Sequence, residues 1–311
     1  MARWDKVTVI VPTLNASSIW SRFVQALKEQ QVPPSRIVII DSSSGDRTAD
    51  LAKREGFRLL EIERSTFNHG GTRQWAADLE SDAEILVCLT QDAILANSNS
   101  LQNLISTFDD PSIGAAYGRQ LPRPGAGPIE SHARYFNYPG QSGVRTLKDR
   151  ELLGFKAIFI SNSFAAYRCG ALKAVGGFPT NTIFGEDTVV AARLLLAGWK
   201  IAYVAEATVY HSHSYSCVRE FKRYFDVGVL HARESWLLDE FGTAGGEGQR
   251  FVLSELKYLW HAHKAYIPSA LIRTVAKYTG YRLGRMEAKL SPGIKYRLSM
   301  HRYFWQKSTS I

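Results

Sequence analysis

The amino-acid sequence predicts an α/β protein, with a parallel sheet covered by helices on both faces and a basic helical extension at the C-terminal end. Three observations lead to this prediction. Short apolar runs without polar alternation recur through the first 90 residues, helical patterns separate them, and cations dominate residues 250–311. Strands buried on both faces read as continuous apolar runs, and parallel strands require crossover helices between them.

Strands and helices alternate from the N-terminal end. The β-branched run Lys6–Val11 predicts a first strand that ends at Pro12, and apolar residues at helical spacing follow, behind Ser17 and Ser18 as candidate caps. The further predicted strands are 37–40, 59–62, 85–89 and 201–205, and the predicted helices are 20–27, 48–55, 72–79 and 185–198, two of them ended by a glycine at 56 or 198.

Composition excludes several classes of protein. With 311 residues, 45% hydrophobic and 22% charged, the chain fits one or two globular domains rather than a disordered or collagen-like protein. Its apolar runs fall far short of the roughly 20 residues that a membrane-spanning helix needs, and Met1–Asp5 lacks the apolar core of a signal peptide. The three scattered cysteines predict neither a disulfide framework nor a zinc site. We therefore expect a protein of the cytoplasm.

Positive charge is concentrated at the C-terminal end. Residues 250–311 hold twelve Lys or Arg against two acids, a net charge of +10, so the first 249 residues are close to neutral within the total of +9. Aromatic residues lie between these cations, a mixture that suits an anionic membrane surface or a nucleic acid, although a solvated helical face would show the same pattern. The change in composition predicts a body at 1–215 and an extension at 216–311.

Two aspartates lie just after predicted strands. Asp41 follows the second strand and Asp92 the fourth. In open α/β sheets ligands bind beyond the carboxyl ends of the strands, so these acids predict a site, although an aspartate there is often only a turn or cap residue. Such carboxylates can hold a nucleobase or ribose by hydrogen bonds, or a hard cation that bridges phosphates.

Four segments carry a family resemblance. They read VTVIVPTLN (7–15), IVIIDSSSGDRTADLA (37–52), LTQDA (89–93) and GGFPTNTIFGEDTVVAARLLLAGWKIAYV (176–204). In this order they resemble the signatures of the family 2 glycosyltransferases, inverting enzymes of the GT-A fold, over residues 6 to about 215. STFNHGGTRQWAA (65–77) followed by TQDA resembles the bacterial rhamnosyltransferases that use dTDP-L-rhamnose. The resemblance implies a Rossmann-like nucleotide-binding sheet and Mg²⁺ or Mn²⁺ as cofactor.

The resemblance assigns residues to the nucleotide of the donor. It makes Pro12, Thr13 and Asn15 part of the nucleotide pocket. Asp41 becomes the contact to a uridine or thymidine base, with Ser43 beside it in the pocket.

Asp92 corresponds in the resemblance to the metal-binding acid. Most relatives carry two acids there, whereas this chain reads TQDA, and Gln91 stands beside the donor. Mg²⁺ keeps waters and takes phosphate oxygens, so one carboxylate with a diphosphate is sufficient, although affinity for free metal should be weak. The family commonly brings a late histidine to the metal or diphosphate, and we favour His211 over His213 for this part.

The segment FNHGGTR (67–73) predicts an anion site. Its two glycines let backbone approach a ligand closely, and the helix that follows points its N-terminus at whatever binds there. Beside Gly70, Arg73 could reach a phosphate as a fork, and His69 could donate to a phosphate or a sugar hydroxyl. The alternative is an ordinary turn with an incidental histidine and arginine.

Glu186 and Asp187 open the last predicted helix of the body. Acids in a first turn can be explained by the helix dipole alone. The resemblance makes Asp187 the general base, which removes the proton of an acceptor hydroxyl as its oxygen attacks the anomeric carbon. Glu186 would orient or bind the acceptor. The tyrosines and phenylalanine of the insertion 122–145 could form a sugar platform or lid, or equally pack in the core: Tyr135, Phe136 and Tyr138.

The resemblance implies transfer of L-rhamnose from dTDP-β-L-rhamnose to a saccharide acceptor in O-antigen-type polysaccharide synthesis. The acceptor would be linked to polyprenyl diphosphate, so we expect residues 250–311 to dock on the anionic inner face of the plasma membrane rather than on nucleic acid. Their aromatic surface could instead serve a homodimer.

Three alternative functions stay open at this point. The donor could be another nucleotide sugar, such as galactofuranose or another hexose. A nucleotidyltransferase would share the sheet and the metal-binding acid, but it would need a glycine-rich basic loop after the first strand, where this chain reads PTLNASS. A non-catalytic nucleotide-binding module would tolerate the loss of Asp187, which is present.

Overall fold

The computed structural model describes residues 4–243 and 245–307, so the predictions on Met1–Arg3 and on 308–311 lie outside the described residues. The strands are β1 Val7–Thr13, β2 Ile37–Asp41, β3 Arg58–Glu61, β4 Ile85–Leu89, β5 Ile94–Leu95, β6 Ile113–Leu121, β7 Gly143–Arg145, β8 Phe164–Arg168 and β9 Lys200–Tyr210. The α-helices are α1 Trp20–Lys28, α2 Thr48–Arg54, α3 His69–Leu79, α4 Ser100–Ile105, α5 Pro128–Asn137, α6 Arg150–Leu153, α7 Cys169–Ala174, α8 Glu186–Leu196, α9 Cys217–Arg233, α10 Trp236–Phe241, α11 Gly245–Ala262, α12 Ile267–Arg285, α13 Pro292–Leu298 and α14 Arg302–Lys307. Short 3₁₀ helices lie at Trp4–Lys6, Pro34–Arg36, Arg64–Thr66, Ser106–Asp109, Leu147–Asp149, Gly154–Ile158, Lys264–Tyr266 and Glu287–Lys289.

All of these strands belong to one mixed sheet. Their order is β3-β2-β1-β4-β8-β6-β9-β5, and β7 pairs with β9 beside this path. The first four strands of the chain are parallel, as predicted. β6 and β9 are parallel to each other, but β8 runs antiparallel to both β4 and β6, and β5 and β7 run antiparallel to β9, so the sheet is mixed and not wholly parallel as predicted. A buried apolar run shows that a strand is covered on both faces, but it does not reveal the direction of the strand.

Both faces of the central strands are covered, which confirms the predicted α/β fold. Val9 and Val11 of β1 pack with Phe23 of α1 on one face. Ile10 packs with Val190 of α8 on the other face. Successive residues of a strand point to opposite faces, so two cores require an uninterrupted apolar run.

The start of the body differs from prediction in two details. β1 continues through Pro12 to Thr13, because β4 pairs with β1 only as far as Ile10 and leaves an edge position that tolerates a residue without an N–H. α1 begins without a side-chain cap, so neither candidate serine caps it. The Ser17 N–H instead donates to Asp46 Oδ2 at 3.0 Å.

α3 begins at His69, three residues before the predicted start. The Asn68 side chain caps it, since Asn68 Oδ1 accepts from the Gly71 N–H at 2.7 Å. The expected glycine loop is therefore the first turn of a helix.

The C-terminal part is helical from Cys217 onward, with no strand after Tyr210 in the described part of the chain. α9 and α12 touch through their backbones. A Cβ on Gly284 of α12 would lie 2.0 Å from the Phe225 carbonyl oxygen, and one on Gly228 of α9 would lie 2.3 Å from that of Tyr281. Within residues 4–243 and 245–307, no helix has the length and apolar character needed to cross a membrane.

Candidate active site

The predicted nucleotide contacts begin at the carboxyl ends of β1 and β2. Thr13 and Asp41 are partners in the parallel ladder. Asp41 is buried, and its Oδ1 accepts from Thr13 Oγ1 at 3.1 Å and from Ser44 Oγ at 2.6 Å, while Oδ2 accepts from the Ser44 N–H at 2.8 Å. Strand pairing and a turn therefore hold this carboxylate in place at the edge of the sheet.

The loops after β1 and β2 are tied together. Asn15 and Ser43 adopt left-handed backbone conformations, with φ of +50° and +55°. Asn15 bonds to the second loop through its N–H, which donates to Ser44 Oγ at 2.8 Å, and through its Oδ1, which accepts from the Gly45 N–H at 2.9 Å. Left-handed conformations cost a non-glycine residue roughly 1–2 kcal/mol and cluster at functional sites. Both side chains are exposed, so a ligand can reach them.

Gln91 bonds to the protein backbone. Its Oε1 accepts from the Leu14 N–H at 2.7 Å and its Nε2 donates to the Leu14 carbonyl at 3.1 Å. The amide thus joins the loop after β4 to the loop after β1. This geometry gives Gln91 a positioning role instead of the predicted direct contact with the donor.

Asp92, His211 and His213 form a cluster where β4 and β9 end. Their ligand atoms all lie within 4.8 Å of one another. Asp92 Oδ1 is 3.5 Å from His211 Nε2, and Asp92 Oδ2 is 3.8 Å from His213 Nε2. Burial alone would raise the pKa of Asp92, but the hydrogen bond and charge of His211 hold it well below its usual range. The structure brings both histidines to the aspartate, whereas the sequence favoured His211.

Gln120, at the end of β6, orients His211. Arg134 donates to Gln120 Oε1, which therefore is the acceptor oxygen, and His211 Nδ1 lies 2.9 Å from the same atom. Nδ1 must then carry the proton, so Nε2 can donate to Asp92 only from the protonated ring, and in a neutral His211 the lone pair of Nε2 faces the carboxylate instead. Two acceptors would face each other across 3.5 Å. The donor set of two imidazoles and one carboxylate therefore fits a divalent cation.

The cluster of Asp92, His211 and His213 lies between two cavities. A cavity of about 580 Å³ contains His211, His213 and Asp187 in its wall. A smaller one of about 340 Å³ contains Asp92 together with Arg22. The two halves of the cluster therefore face different spaces.

Asp187 stands in the first turn of α8, on the wall of the larger cavity. Its Oδ1 accepts from the Thr188 N–H at 2.8 Å and its Oδ2 from the Asn162 N–H at 3.1 Å. Burial, and then the charge of Glu186, raise the pKa of Asp187 to about 6. A carboxylate that is more basic than usual, yet still ionised at neutral pH, suits a general base.

Glu186 and Arg73 bind each other behind Asp187. Glu186 Oε1 accepts from Arg73 Nη1 at 2.8 Å and from Asn162 Nδ2 at 2.8 Å, and both charged side chains are at least 95% buried. Tyr167 completes the network by donating to Asn162 Oδ1 at 2.7 Å. Each charge needs the other as its buried counter-ion. Both residues also line the larger cavity, so the phosphate contact of Arg73 and the acceptor contact of Glu186 stay predictions.

Gly70 and His69 also differ from the expected anion loop. A Cβ on Gly70 would lie 1.8 Å from the Pro179 carbonyl oxygen and 3.1 Å from Glu186 Cβ, so this glycine permits close packing inside the protein and not the approach of a ligand. His69 lines the larger cavity. Burial, with the charges of Arg73 and Arg223, lowers the pKa of His69 to about 3, so the ring is neutral.

The C-terminal extension completes the larger cavity. The His301 ring packs edge-on against His69 at 5.1 Å and stacks on Phe184 at 5.7 Å. Asp226 of α9 holds this segment by accepting from the His301 N–H at 3.3 Å. The predicted boundary near residue 215 stays a prediction, but residues on both sides of it line one space.

The aromatic residues of the insertion pack mainly against other rings. Tyr138 is buried, 5.6 Å from the Phe159 ring, and also lines the larger cavity. Phe136 lies edge-on to Phe251 of α11 at 5.2 Å. Tyr135 is half exposed. Packing therefore accounts for two of the three rings.

The sequence did not identify four residues that shape the site. Gln120 lies near the end of β6 and Asn162 just before β8, and the only available signal was a polar residue at the end of an apolar strand. Arg223 and His301 lie in the extension, where the sequence suggested a surface role.

The chain is similar to known glycosyltransferases. A family model described as Glycosyl transferase family 2 matches residues 8–176. The O-antigen chain rhamnosyltransferase RfbN of Salmonella typhimurium is 46% identical over 301 residues, 96% of each chain. The O-antigen chain rhamnosyltransferase WbaN of Salmonella anatum is 46% identical over 299 residues, 96% of this chain and 95% of that protein.

Solved structures share the fold at low sequence identity. A mannosyltransferase, PcManGT from Pyrobaculum calidifontis in complex with GDP-Man and Mn²⁺, has a TM-score of 0.55 and 19% identity, covering 98% of this chain and 86% of that one. S. aureus TarS 1-349 in complex with UDP-GlcNAc has a TM-score of 0.55 and 16% identity, covering 91% of each chain. The likeness confirms the predicted GT-A type of fold.

Proposed function

The chain belongs to glycosyl transferase family 2, and from this premise we propose that it is an inverting rhamnosyltransferase of O-antigen synthesis. It moves L-rhamnose from dTDP-β-L-rhamnose to a hydroxyl group of a saccharide. The observation that carries the chemistry is Asp187, a carboxylate of raised pKa in the wall of the larger cavity. The choice of rhamnose rests on the two relatives that are 46% identical over nearly the whole chain.

Asp187 acts as the general base of a single displacement. It takes the proton of the acceptor hydroxyl while that oxygen forms a bond to the anomeric carbon of rhamnose. The bond from the same carbon to the diphosphate oxygen breaks, and its electron pair leaves with dTDP. Attack from the face opposite the leaving group converts the β-linked donor into an α-rhamnoside. The Arg73–Glu186 pair acts through Asp187 as a positioning element.

The donor diphosphate belongs at the cluster of Asp92, His211 and His213. These residues would hold a divalent cation, which when bound stabilises the negative charge of the leaving diphosphate. Mg²⁺ takes oxygen ligands, whereas imidazole suits transition metals, so Mn²⁺ fits this donor set better. Thymidine would then extend to Asp41, with Asn15 and Ser43 beside it. A different nucleotide sugar would use the same residues.

The protein works at the inner face of the plasma membrane, on a lipid-linked acceptor. α12 exposes Leu271, Ile272 and Val275 on one face, and Trp260 of α11 is also exposed. Lys264 Nζ lies over the Trp260 ring at 4.8 Å. Apolar and aromatic side chains among cations, in a segment with a net charge of +10, complement an anionic lipid surface. Flotation with anionic vesicles tests this location, and a salt-resistant dimer that does not float would contradict it.

The reaction is tested by release of dTDP or UDP from a panel of nucleotide sugars with Mn²⁺ or Mg²⁺. We expect slow hydrolysis that is selective for dTDP-rhamnose, depends on metal and is weakened by Asp92→Ala. Release from another donor only would replace rhamnose as the sugar. A protein that binds no donor would contradict the proposed function as a whole.

A further inference from the structure

Three cations of the extension line the larger cavity. Arg223 comes from α9, and Arg273 and Lys277 come from α12. They share this wall with aromatic residues of the extension and with Asp187. None of the nucleotide-side residues Thr13, Asn15, Asp41 and Ser43 lines this cavity.

These cations outnumber the acids beside them. Arg273 Nη1 and Lys277 Nζ lie 3.8 Å and 3.9 Å from the same atom, Glu220 Oε1, distances too long for hydrogen bonds. Arg223 is exposed to the cavity, and among the described residues its guanidinium has a ring contact with Tyr215, at 6.0 Å, and no ion pair. Glu255 is buried nearby, and burial raises the pKa of its carboxyl group. Among the described residues, Glu220 is therefore the one carboxylate that lies within 4 Å of these cations.

The two faces of α12 differ in character. Ser269, Arg273 and Lys277 are four residues apart, so they lie on one side of the helix, toward the cavity. Leu271 and Val275 are exposed on the opposite side. The cavity is thus separated from an exposed apolar surface by one helix, about 10 Å across.

We propose that Arg223, Arg273 and Lys277 bind the diphosphate of a lipid-linked saccharide acceptor. This inference rests on the proposed function, because it assigns the acceptor side of the same reaction. The charges neutralise the diphosphate beside α12, the apolar face of that helix rests on the lipid surface, and the first sugars extend along the aromatic wall toward Asp187. Arginine forks pair well with phosphate oxygens, and lysine adds a point charge.

Binding of farnesyl diphosphate tests the inference without knowledge of the saccharide. Equilibrium dialysis of the full chain would give its dissociation constant in metal-free buffer and again with saturating dTDP and Mn²⁺. We expect binding in both conditions, weakened about tenfold or more by Arg223→Ala and by Lys277→Ala. Arg219→Ala on α9 and Arg282→Ala on the outer face of α12 are the matched controls, which should bind as the wild type does.

Each of the other possible results contradicts one part of the proposal. Displacement by dTDP with Mn²⁺ would assign the cations to the donor, and equal affinity in all variants would remove them from the site. Inorganic diphosphate that binds as tightly as farnesyl diphosphate would mean a site for the free anion, without a lipid contribution. Farnesol that binds as tightly as farnesyl diphosphate would show that the cations do not contribute to binding. Release of dTDP from dTDP-rhamnose by the same preparation reports on the proposed function separately.

Discussion

The nucleotide edge of the sheet and the larger cavity are built in different ways. At the nucleotide edge, Thr13, Asp41 and Asn15 bond to neighbours in two loops that follow adjacent strands. In the cavity, Asp187 accepts one hydrogen bond from the adjacent Thr188 N–H and one from Asn162 before β8, and its electrostatic environment includes the buried pair that joins Glu186 to the distant Arg73.

This difference separates binding from chemistry. The Asp41 carboxylate is held by a strand end and a local turn, so it acts as a fixed hydrogen-bond acceptor. Asp187 has a pKa set by burial and a neighbouring acid, which depend on the packing of the whole domain. Substitutions at the edge should therefore change donor affinity, and substitutions around the cavity should change turnover, stability and metal binding.

The largest expected effect is that of Asp187→Asn. Loss of the base should lower kcat by about 10²- to 10⁴-fold while the KM for the donor stays the same. The measurement is transfer to a saccharide acceptor, with Asp50→Asn, an exposed acid of α2, as the matched control. A change in the KM for the donor with an unchanged kcat would contradict the assignment of chemistry to the larger cavity and donor binding to the nucleotide edge.

Breaking the buried ion pair should have the next largest effect. Arg73→Met leaves Glu186 without a counter-ion and should lower the free energy of unfolding by about 3–5 kcal/mol in urea titrations. Arg73→Met combined with Glu186→Leu should recover most of this loss. Arg150→Met breaks the exposed pair with Glu240, at 2.9 Å, and should cost about 0–1 kcal/mol. Equal losses of unfolding free energy in Arg73→Met and Arg150→Met would contradict the assignment of Arg73 and Glu186 as a buried ion pair.

Gln120→Ala should weaken metal binding at the cavity. Without the acceptor at Nδ1, His211 loses its orientation, and Mn²⁺ affinity should fall about 10- to 100-fold. Electron paramagnetic resonance of free Mn²⁺ measures this directly. Gln25→Ala, on the surface of α1, serves as control, and an unchanged affinity in Gln120→Ala would remove the orienting role.

The pH profile should report the environment of Asp187. A protonated carboxyl cannot accept the proton of the acceptor, so kcat/KM should fall about tenfold per pH unit below the raised pKa of Asp187, about 6. Glu186→Gln removes the neighbouring negative charge and should move this limb to lower pH. The measurement is the initial rate of transfer from pH 4.5 to 8 at about constant ionic strength. An acidic limb that stays at the same pH in Glu186→Gln would show that Glu186 does not affect the pKa of Asp187.

The smallest effect is expected at the nucleotide edge. Asp41→Asn removes the charge and one of the two oxygens that accept hydrogen bonds in the turn, so the KM for dTDP-rhamnose should rise about fivefold to tenfold, with little change in kcat. Asp50→Asn again provides the comparison in steady-state kinetics. A loss of turnover with unchanged donor KM would place Asp41 with the catalytic group instead.

The elements that the sequence predicted correctly depend on local patterns. β4 has the predicted bounds, and α8 begins at the predicted acids. Asp41 and Asp92 lie at strand ends, as expected, because an apolar run and the polar residue after it fix that position without any distant partner.

The contacts that the sequence could not predict depend on distant partners. Arg73 and Glu186 are 113 positions apart, and nothing in either segment shows that they form a pair. The sequence around Gly70 predicts a flexible loop residue, because nothing in that segment shows that Pro179 packs against it. The role of the extension was equally hidden, since a helix that lines a cavity and a helix that faces solvent can share the same spacing of charges.

The glycine contact between α9 and α12 has a consequence for substrate choice. Arg223 and Lys277 stand on two helices whose main chains touch at Gly228 and Gly284, so backbone contact fixes the separation of the helices that carry these cations. This separation limits how far apart the two side chains can place their charges. A single added methyl group at the contact would force the helices apart, so we expect Gly284→Ala to change which acceptors bind.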